Sequence, residues 1–210
     1  MVGAGAMGSI YAAMFHEGGH QVSFVEANPA TAKAINAAGA VITDAEGKDT
    51  AYPLKAASKP SKDDGIADLV LFQVKGFATA AAAETMRPAV DGHTIIVTLQ
   101  NGLGNEDVLR QAFPGNPLVI GVSLHSAAMT GPGRYHHTGV RSTSIGPSAA
   151  SARQAVATVA AALRGSRYEV HEMNEGEIRR EIFSKWVLNC GSLPTAALTG
   201  LATTAISTNE

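Results

Sequence analysis

The sequence predicts an α/β fold: a doubly wound parallel sheet over residues 1–173, followed over 174–210 by the beginning of a second, α-helical domain. Three observations carry that prediction. The chain opens on Gly3-Ala4-Gly5-Ala6-Met7-Gly8, a G-x-G-x-x-G run leading straight into the apolar segment Ser9 to Phe15. Near-continuous apolar runs at 67–74, 94–99 and 118–123 then alternate with Ala-rich stretches of helical length, as buried parallel strands and their crossover helices do. From Asn174 the character changes, with Ile178, Ile182, Trp186 and Asn189 recurring at helical spacing.

The opening element is the most informative. In a Rossmann-type βαβ unit Gly3 makes the tight turn out of the first strand, and Gly5 lets backbone approach a pyrophosphate. Gly8 lets the helix pack close on the sheet. The free N–H groups of Gly5, Ala6 and Met7 at the helix start then face an anion. With 22 glycines in 210 residues the motif alone is weak, but its context is right. Gly18-Gly19 stops the helix, the run Gln21 to Val25 reads as a second strand, and Glu26 follows 18 residues past Gly8. An acid there suits the hydroxyls of an adenosine ribose. Only Met1 and Val2 precede the turn, where a strand of about 5–6 residues is usual; we take this as a chain cut short at its start.

Asn28-Pro29 supplies an N-cap and a first-turn proline for a helix over 30–37. Residues 40–43 and 50–54 read as a hairpin around Asp44-Ala45-Glu46-Gly47, inserted before the third parallel strand at 67–74. The segment 59–65 is loop-like. Helices are expected over 78–87, up to Ala112 and over 149–163, and strands at 94–99, 118–123 and 168–171. Residues 133–139 and 142–146 read as two short antiparallel strands. Asn174 with Glu177 echoes a capping box for a helix over 175–190, and after Pro194 a further short helix is expected over 195–206.

Composition narrows the function classes. A net charge of −2 gives no electrostatic case for nucleic acid or an anionic membrane as partner. Cys190 is the only cysteine, so no intramolecular disulfide can form, and a reducing, cytoplasmic setting fits. No run approaches the ~18 apolar residues of a membrane span, and the N-terminus holds a glycine motif where a signal peptide would be. The seven histidines show no metal-ligand spacing, and adjacent His136 and His137 would face opposite sides of a strand. Cys190 reads as a buried small hydrophobe and Trp186 as packing.

Ligands of open α/β sheets bind beyond the C-terminal strand ends, a rule that selects the Gly3–Gly8 loop, Glu26, Lys75 and Asn101. Lys75 is placed to pair with cofactor phosphate or polarise a carbonyl, or is simply solvated at a strand end. Asn101 is placed to bond substrate or nicotinamide ribose, or is a turn asparagine before Gly102. Lys185 and Asn189, four apart, share a helix face. A ketone receiving hydride needs a proton donor, which a lysine in a closed cleft supplies; on spacing alone, Lys185 reads instead as a snorkelling lysine on an amphipathic helix.

Taken together, Gly3–Gly8, Val74-Lys75-Gly76-Phe77, Leu99-Gln100-Asn101-Gly102-Leu103-Gly104-Asn105 and Lys185-Trp186-Val187-Leu188-Asn189-Cys190 resemble ketopantoate reductases in order and spacing. The resemblance covers nearly the whole chain. It implies NADPH-dependent reduction of 2-dehydropantoate to pantoate for coenzyme A synthesis. It further implies Lys185 as general acid, Asn189 as a substrate hydrogen-bonder, and Asn101 and Lys75 between cofactor and substrate. Where that family has a second asparagine before a proline, this chain has Leu193, which leaves room for another 2-oxo acid. The rest of the family's helical domain would follow Glu210. Glu26 would repel a 2′-phosphate and accept a ribose 2′-OH, so its charge points to NAD where the family norm is NADP; Lys33 or Lys75 would offset the repulsion. A non-catalytic dinucleotide-binding remnant or sensor, or another dehydrogenase of the same build, stands as the competing reading. An unfinished helical domain would expose apolar surface, with a homodimer as one way to cover it.

Overall fold

A computed structural model describes residues 1–61, 65–166 and 168–201. In chain order the elements are α1 (Ala6–Glu17), β1 (Ser23–Val25), α2 (Pro29–Ala38), β2 (Ala40–Thr43), β3 (Asp49–Tyr52), β4 (Lys55–Ala57), β5 (Leu69–Phe72), α3 (Thr79–Met86), β6 (Ile95–Thr98), α4 (Asn105–Ala112), β7 (Leu118–Ser123), β8 (Ser126–Gly131), β9 (Arg134–Gly139), β10 (Thr143–Pro147), α5 (Arg153–Arg164), β11 (Val170–Glu172) and α6 (Glu175–Thr199).

β4 and β1 pair in parallel, and β5, β6 and β7 form a second parallel group. Val2 bridges the two groups, lying parallel to both Val25 and Phe72. Four backbone bonds seat it there: Val2 N–H to Leu71 O, Gln73 N–H to Val2 O, Val25 N–H to Met1 O and Gly3 N–H to Val25 O, all 2.8–2.9 Å. The resulting order, β4-β1-Val2-β5-β6-β7-β10-β11, is doubly wound about its centre. β10 runs antiparallel to β7, and β11 is parallel to β10.

The parallel strands are apolar on both faces because each face covers a separate core. Leu71, Val97 and Val119 point into the cluster that holds α1 and α5. Val70, Phe72, Ile96 and Ile120 point into the other, with Ala83, Met86, Leu109 and Ile178 of α3, α4 and α6. A four-stranded sheet of order β3-β2-β9-β8 covers the outer side of α1. Enclosed between two sheets, α1 is buried continuously from Gly8 to Phe15, which is why its apolar residues form no single stripe.

Several sequence expectations need correction. The third parallel strand is β4, not 67–74. Lys55-Ala56-Ala57 carries no β-branched residue and pairs on one side only, while Asn36 of α2 bonds both backbone groups of Ala56 on the other (2.7 and 2.9 Å). The strands at 134–139 and 143–147 do not pair with each other. β9 folds back on β8 around Gly131-Pro132-Gly133, a glycine-proline turn, while β10 joins the main sheet. Pro194 does not end the last helix, which continues to Thr199 and stops at left-handed Gly200. The carbonyl that Pro194 cannot serve belongs to Cys190, an exposed residue. Ser192 and Thr195 hydroxyls donate to the Leu188 and Gly191 carbonyls beside it. Cys190 is thus exposed rather than buried. Residues 62–64 of the expected loop and 202–206 of the expected final helix lie outside the described residues.

Candidate active site

The glycine turn is built as the motif requires. Gly3 sits at φ +93°, open only to glycine, and a side chain on Gly8 would collide with the Gly3 carbonyl oxygen. A Cβ on Gly5 would meet nothing within 4 Å. Gly5 is the N-cap of α1 and no side chain caps that end. The first-turn N–H groups, which have no intrahelical acceptor, therefore stand without a side-chain cap at the positive end of the helix dipole. That arrangement fits a dinucleotide diphosphate. Gly5, Ala6, Met7 and Gly8 would hold it, while Gly3 shapes the turn.

Ala4 is pinned from both sides. Its N–H donates to Glu26 Oε2 at 2.6 Å, and its carbonyl accepts from Tyr135 Oη of β9 at 2.7 Å. Glu26 Oε1 also accepts from Asn28 N–H at 2.7 Å. Each carboxylate oxygen keeps a second lone pair, so the group retains acceptor capacity for a ribose hydroxyl beside the glycine turn. Burial, together with the nearby Glu26 carboxylate, raises the Tyr135 phenol above its ordinary range, against the opposing effect of Ser9.

A second locus lies at the C-terminal ends of β6 and β7. Gln100, Asn101, Gly102, Gly121, Val122, Lys185, Trp186 and Asn189 line one cleft. Three residues named from the sequence, Asn101, Lys185 and Asn189, are thus brought together although 88 positions separate the first from the last. The i, i+4 spacing puts Lys185 and Asn189 on the same side of α6, and Lys185 Nζ donates to the carbonyl of Ser123, the last residue of β7. Burial lowers the Lys185 pKa from its ordinary value. Lys75 stays exposed at the corner after β5, outside the cleft lining. Among the described residues no group of three or more His, Cys, Asp or Glu is arranged to hold a metal, and no helix is long and apolar enough to cross a membrane.

Sequence reasoning passed over one buried feature at this edge. His125 Nδ1 lies 3.2 Å from His137 Nε2 and 3.2 Å from Arg141 N. Arg141 N–H must donate, so Nδ1 is an acceptor and the neutral tautomer carries its proton on Nε2. Burial and the neighbouring His137 push His125 down to about 4. Folding 126–139 about the Gly-Pro-Gly turn would have shown that these histidines meet.

The fold is Rossmann-type, with a helix beyond the sheet leaning over the cleft. Residues 1–150 match the family described as Ketopantoate reductase PanE/ApbA, and the chain belongs to that family. It is 36% identical over 132 residues to a 2-dehydropantoate 2-reductase of Halobacterium salinarum, covering 63% of this chain and 43% of that one. The crystal structure of 2-dehydropantoate 2-reductase from Geobacter metallireducens GS-15 aligns with a TM-score of 0.86 at 29% identity, over 100% of this chain and 68% of that chain. D-mandelate dehydrogenase in its ternary structure with NADH and anilino(oxo)acetate gives 0.90 at 22% identity, over 100% and 68%, a likeness of fold. The chain therefore spans less than half the length of that curated relative.

Proposed function

We propose that the chain is the cofactor-binding part of an oxidoreductase that reduces 2-dehydropantoate, or a related 2-oxo acid, to the 2-hydroxy acid, in pantothenate and coenzyme A synthesis in the cytoplasm. The carrying observation is the convergence of Lys185, Asn101 and Asn189 on one cleft at the sheet edge where such folds bind ligands. A nicotinamide cofactor, when bound, supplies the hydride. The first-turn N–H groups of α1 hold its diphosphate, and Glu26 takes a ribose hydroxyl. Asn101 orients the nicotinamide end, with Lys75 at the neighbouring corner. Asn189 holds the substrate. Lys185 Nζ gives its proton to the oxygen that becomes the hydroxyl, neutralising charge as it develops.

Two finer points belong to the same reading. The Glu26 carboxylate beside the turn favours NADH over NADPH, because a 2′-phosphate would meet like charge. Leu193, where the family has asparagine, favours a 2-oxo acid other than 2-dehydropantoate as an additional or replacement substrate. The competing reading, a binding module without turnover, draws on exposed apolar residues along α6, such as Phe183, Leu188 and Leu198. A second copy covering that face would make a homodimer.

Nicotinamide absorbance, followed with NADH and NADPH separately, tests both points. Oxidation by 2-dehydropantoate or another 2-oxo acid, faster with NADH, is expected. NADH binding with no oxidation by any 2-oxo acid would overturn the enzyme in favour of the binding module. Faster turnover with NADPH would overturn the cofactor assignment alone.

A further inference from the structure

Beneath the corners that carry Lys75 and Asn101 runs a chain of side-chain hydrogen bonds with one consistent direction. Thr98 Oγ1, at the end of β6, donates to Gln100 Oε1 at 2.9 Å. Gln100 Nε2 donates to the Val74 carbonyl at 2.7 Å and to Thr79 Oγ1 at 2.9 Å. Thr79 Oγ1 donates to Asn105 Oδ1 at 3.1 Å. Asn105 Nδ2 donates to the Asn101 carbonyl at 3.2 Å.

Both amide orientations are forced. Flipping Gln100 would set its oxygen against the Val74 carbonyl, and flipping Asn105 would do the same at Asn101. Thr79 is fully buried and Asn105 nearly so, and every group named has its partner. The route ties together two backbone carbonyls that bracket the proposed nicotinamide side, those of Val74 and Asn101. Val74 immediately precedes Lys75, whose own carbonyl accepts from Ala78 N–H at 2.8 Å. At the far end is the carbonyl of Asn101 itself. Neither Thr79 nor Asn105 lines the cleft. The two residues join consecutive βα units, α3 through Thr79 and α4 through Asn105, and so fix one corner against the other.

We infer that Thr79 and Asn105 are positioning residues that hold the Lys75 and Asn101 corners in register for the nicotinamide half of the cofactor, leaving the adenosine half to the glycine turn and Glu26. The inference rests on the cofactor reading above. It assigns the two halves of one ligand to separately supported parts of the protein, a division that a residue serving overall stability alone would not produce. Thr79→Val keeps the shape and removes the hydroxyl, leaving Gln100 Nε2 and Asn105 Oδ1 each short of a partner. Thr79→Ser restores it.

The test compares NADH with ADP-ribose, which lacks the nicotinamide, by calorimetric titration of the chain and its variants. Thr79→Val should weaken NADH by about tenfold, the scale of a buried polar group left unpaired, and leave ADP-ribose within about twofold on the same scale. Thr79→Ser should restore NADH. Asn105→Ala, which breaks the chain one link further on, should repeat the Thr79→Val pattern and serves if the valine variant does not fold. Parallel loss of both ligands, or loss of neither, would overturn the inference. If the unaltered chain binds neither ligand, the cofactor reading falls and the inference falls with it; if it binds both and the variants bind alike, the inference alone falls.

Discussion

Lys185 is held by a single backbone carbonyl, that of Ser123. Replacing it with alanine removes the proton donor without touching the glycine turn. Lys185→Ala should lower kcat by roughly 10²–10⁴-fold while NADH affinity, read by titration, stays near that of the unaltered chain; an unchanged kcat would remove Lys185 from the role. The pH dependence has a definite sign. The reduction uses the protonated amine, so the rate falls as pH rises through the Lys185 pKa, and burial places that descending limb below the ordinary lysine range. Asn101 was legible as a candidate from its place after a parallel strand, and Lys185 and Asn189 from the resemblance of the Lys-x-x-x-Asn block, since spacing alone left Lys185 a snorkelling lysine. The chain through Gln100, Thr79 and Asn105 was not, since nothing in periodicity says which buried hydroxyl meets which amide across two βα units. The His125–His137 contact stayed hidden for a related reason: it depends on a hairpin whose strands alternate poorly.

At the scale of elements, the glycine turn and α1 behave as a unit, and the sequence announced both. Gly8→Ala would force the new methyl into the Gly3 carbonyl. Overpacking of that kind costs about 1–3 kcal/mol, so a lower urea midpoint with loss of NADH binding is expected. A variant as stable and as tightly binding as the original would show that α1 can back away from the turn. The start of α6 was equally readable. Asn174 Oδ1 accepts from Glu177 N–H at 3.0 Å, and Glu177 Oε2 accepts from Asn174 N–H at 2.9 Å. Its end was not, because a proline ordinarily breaks a helix, whereas here the helix runs through Pro194 to Thr199 in an exposed stretch. β4 and β8 are hard to read because these edge strands are rich in Ala and show no apolar alternation, with Thr130 the one β-branched residue in the two.

The whole molecule is two sheets sharing one helix, and the His125–His137 contact lies on the seam between them, where β7 of the main sheet turns into β8 of the outer one. His125 is pushed down to about 4 from an ordinary 6.5, so the unfolded chain binds a proton in the interval that the folded chain refuses. Stability is therefore full above about 6.5 and declines as pH falls towards 4. Urea midpoints at pH 7 and pH 5 should differ accordingly. His125→Asn, whose side-chain oxygen can replace Nδ1 as acceptor, should flatten the difference; an unaltered slope would assign the acid loss to other groups.

The reversal of β10 has a metrical consequence. It sends the chain to the edge of the sheet opposite the cleft before α6 begins, so the helix must climb back along β7. Ile178 is wedged against Gly146, whose Cβ would lie 2.6 Å from Ile178 Cγ2, and Gly146 is paired with Ile120. From Ile120 to Ser123 the strand advances ~10 Å; from Ile178 to Lys185 the helix advances ~10.5 Å. The two paths match, so the amine arrives level with the last carbonyl of β7 because helix and strand measure out the same length. The height of the proton donor is fixed by residue count from a packing contact two turns away, and one residue added or removed in between would swing it about 100° around the helix axis.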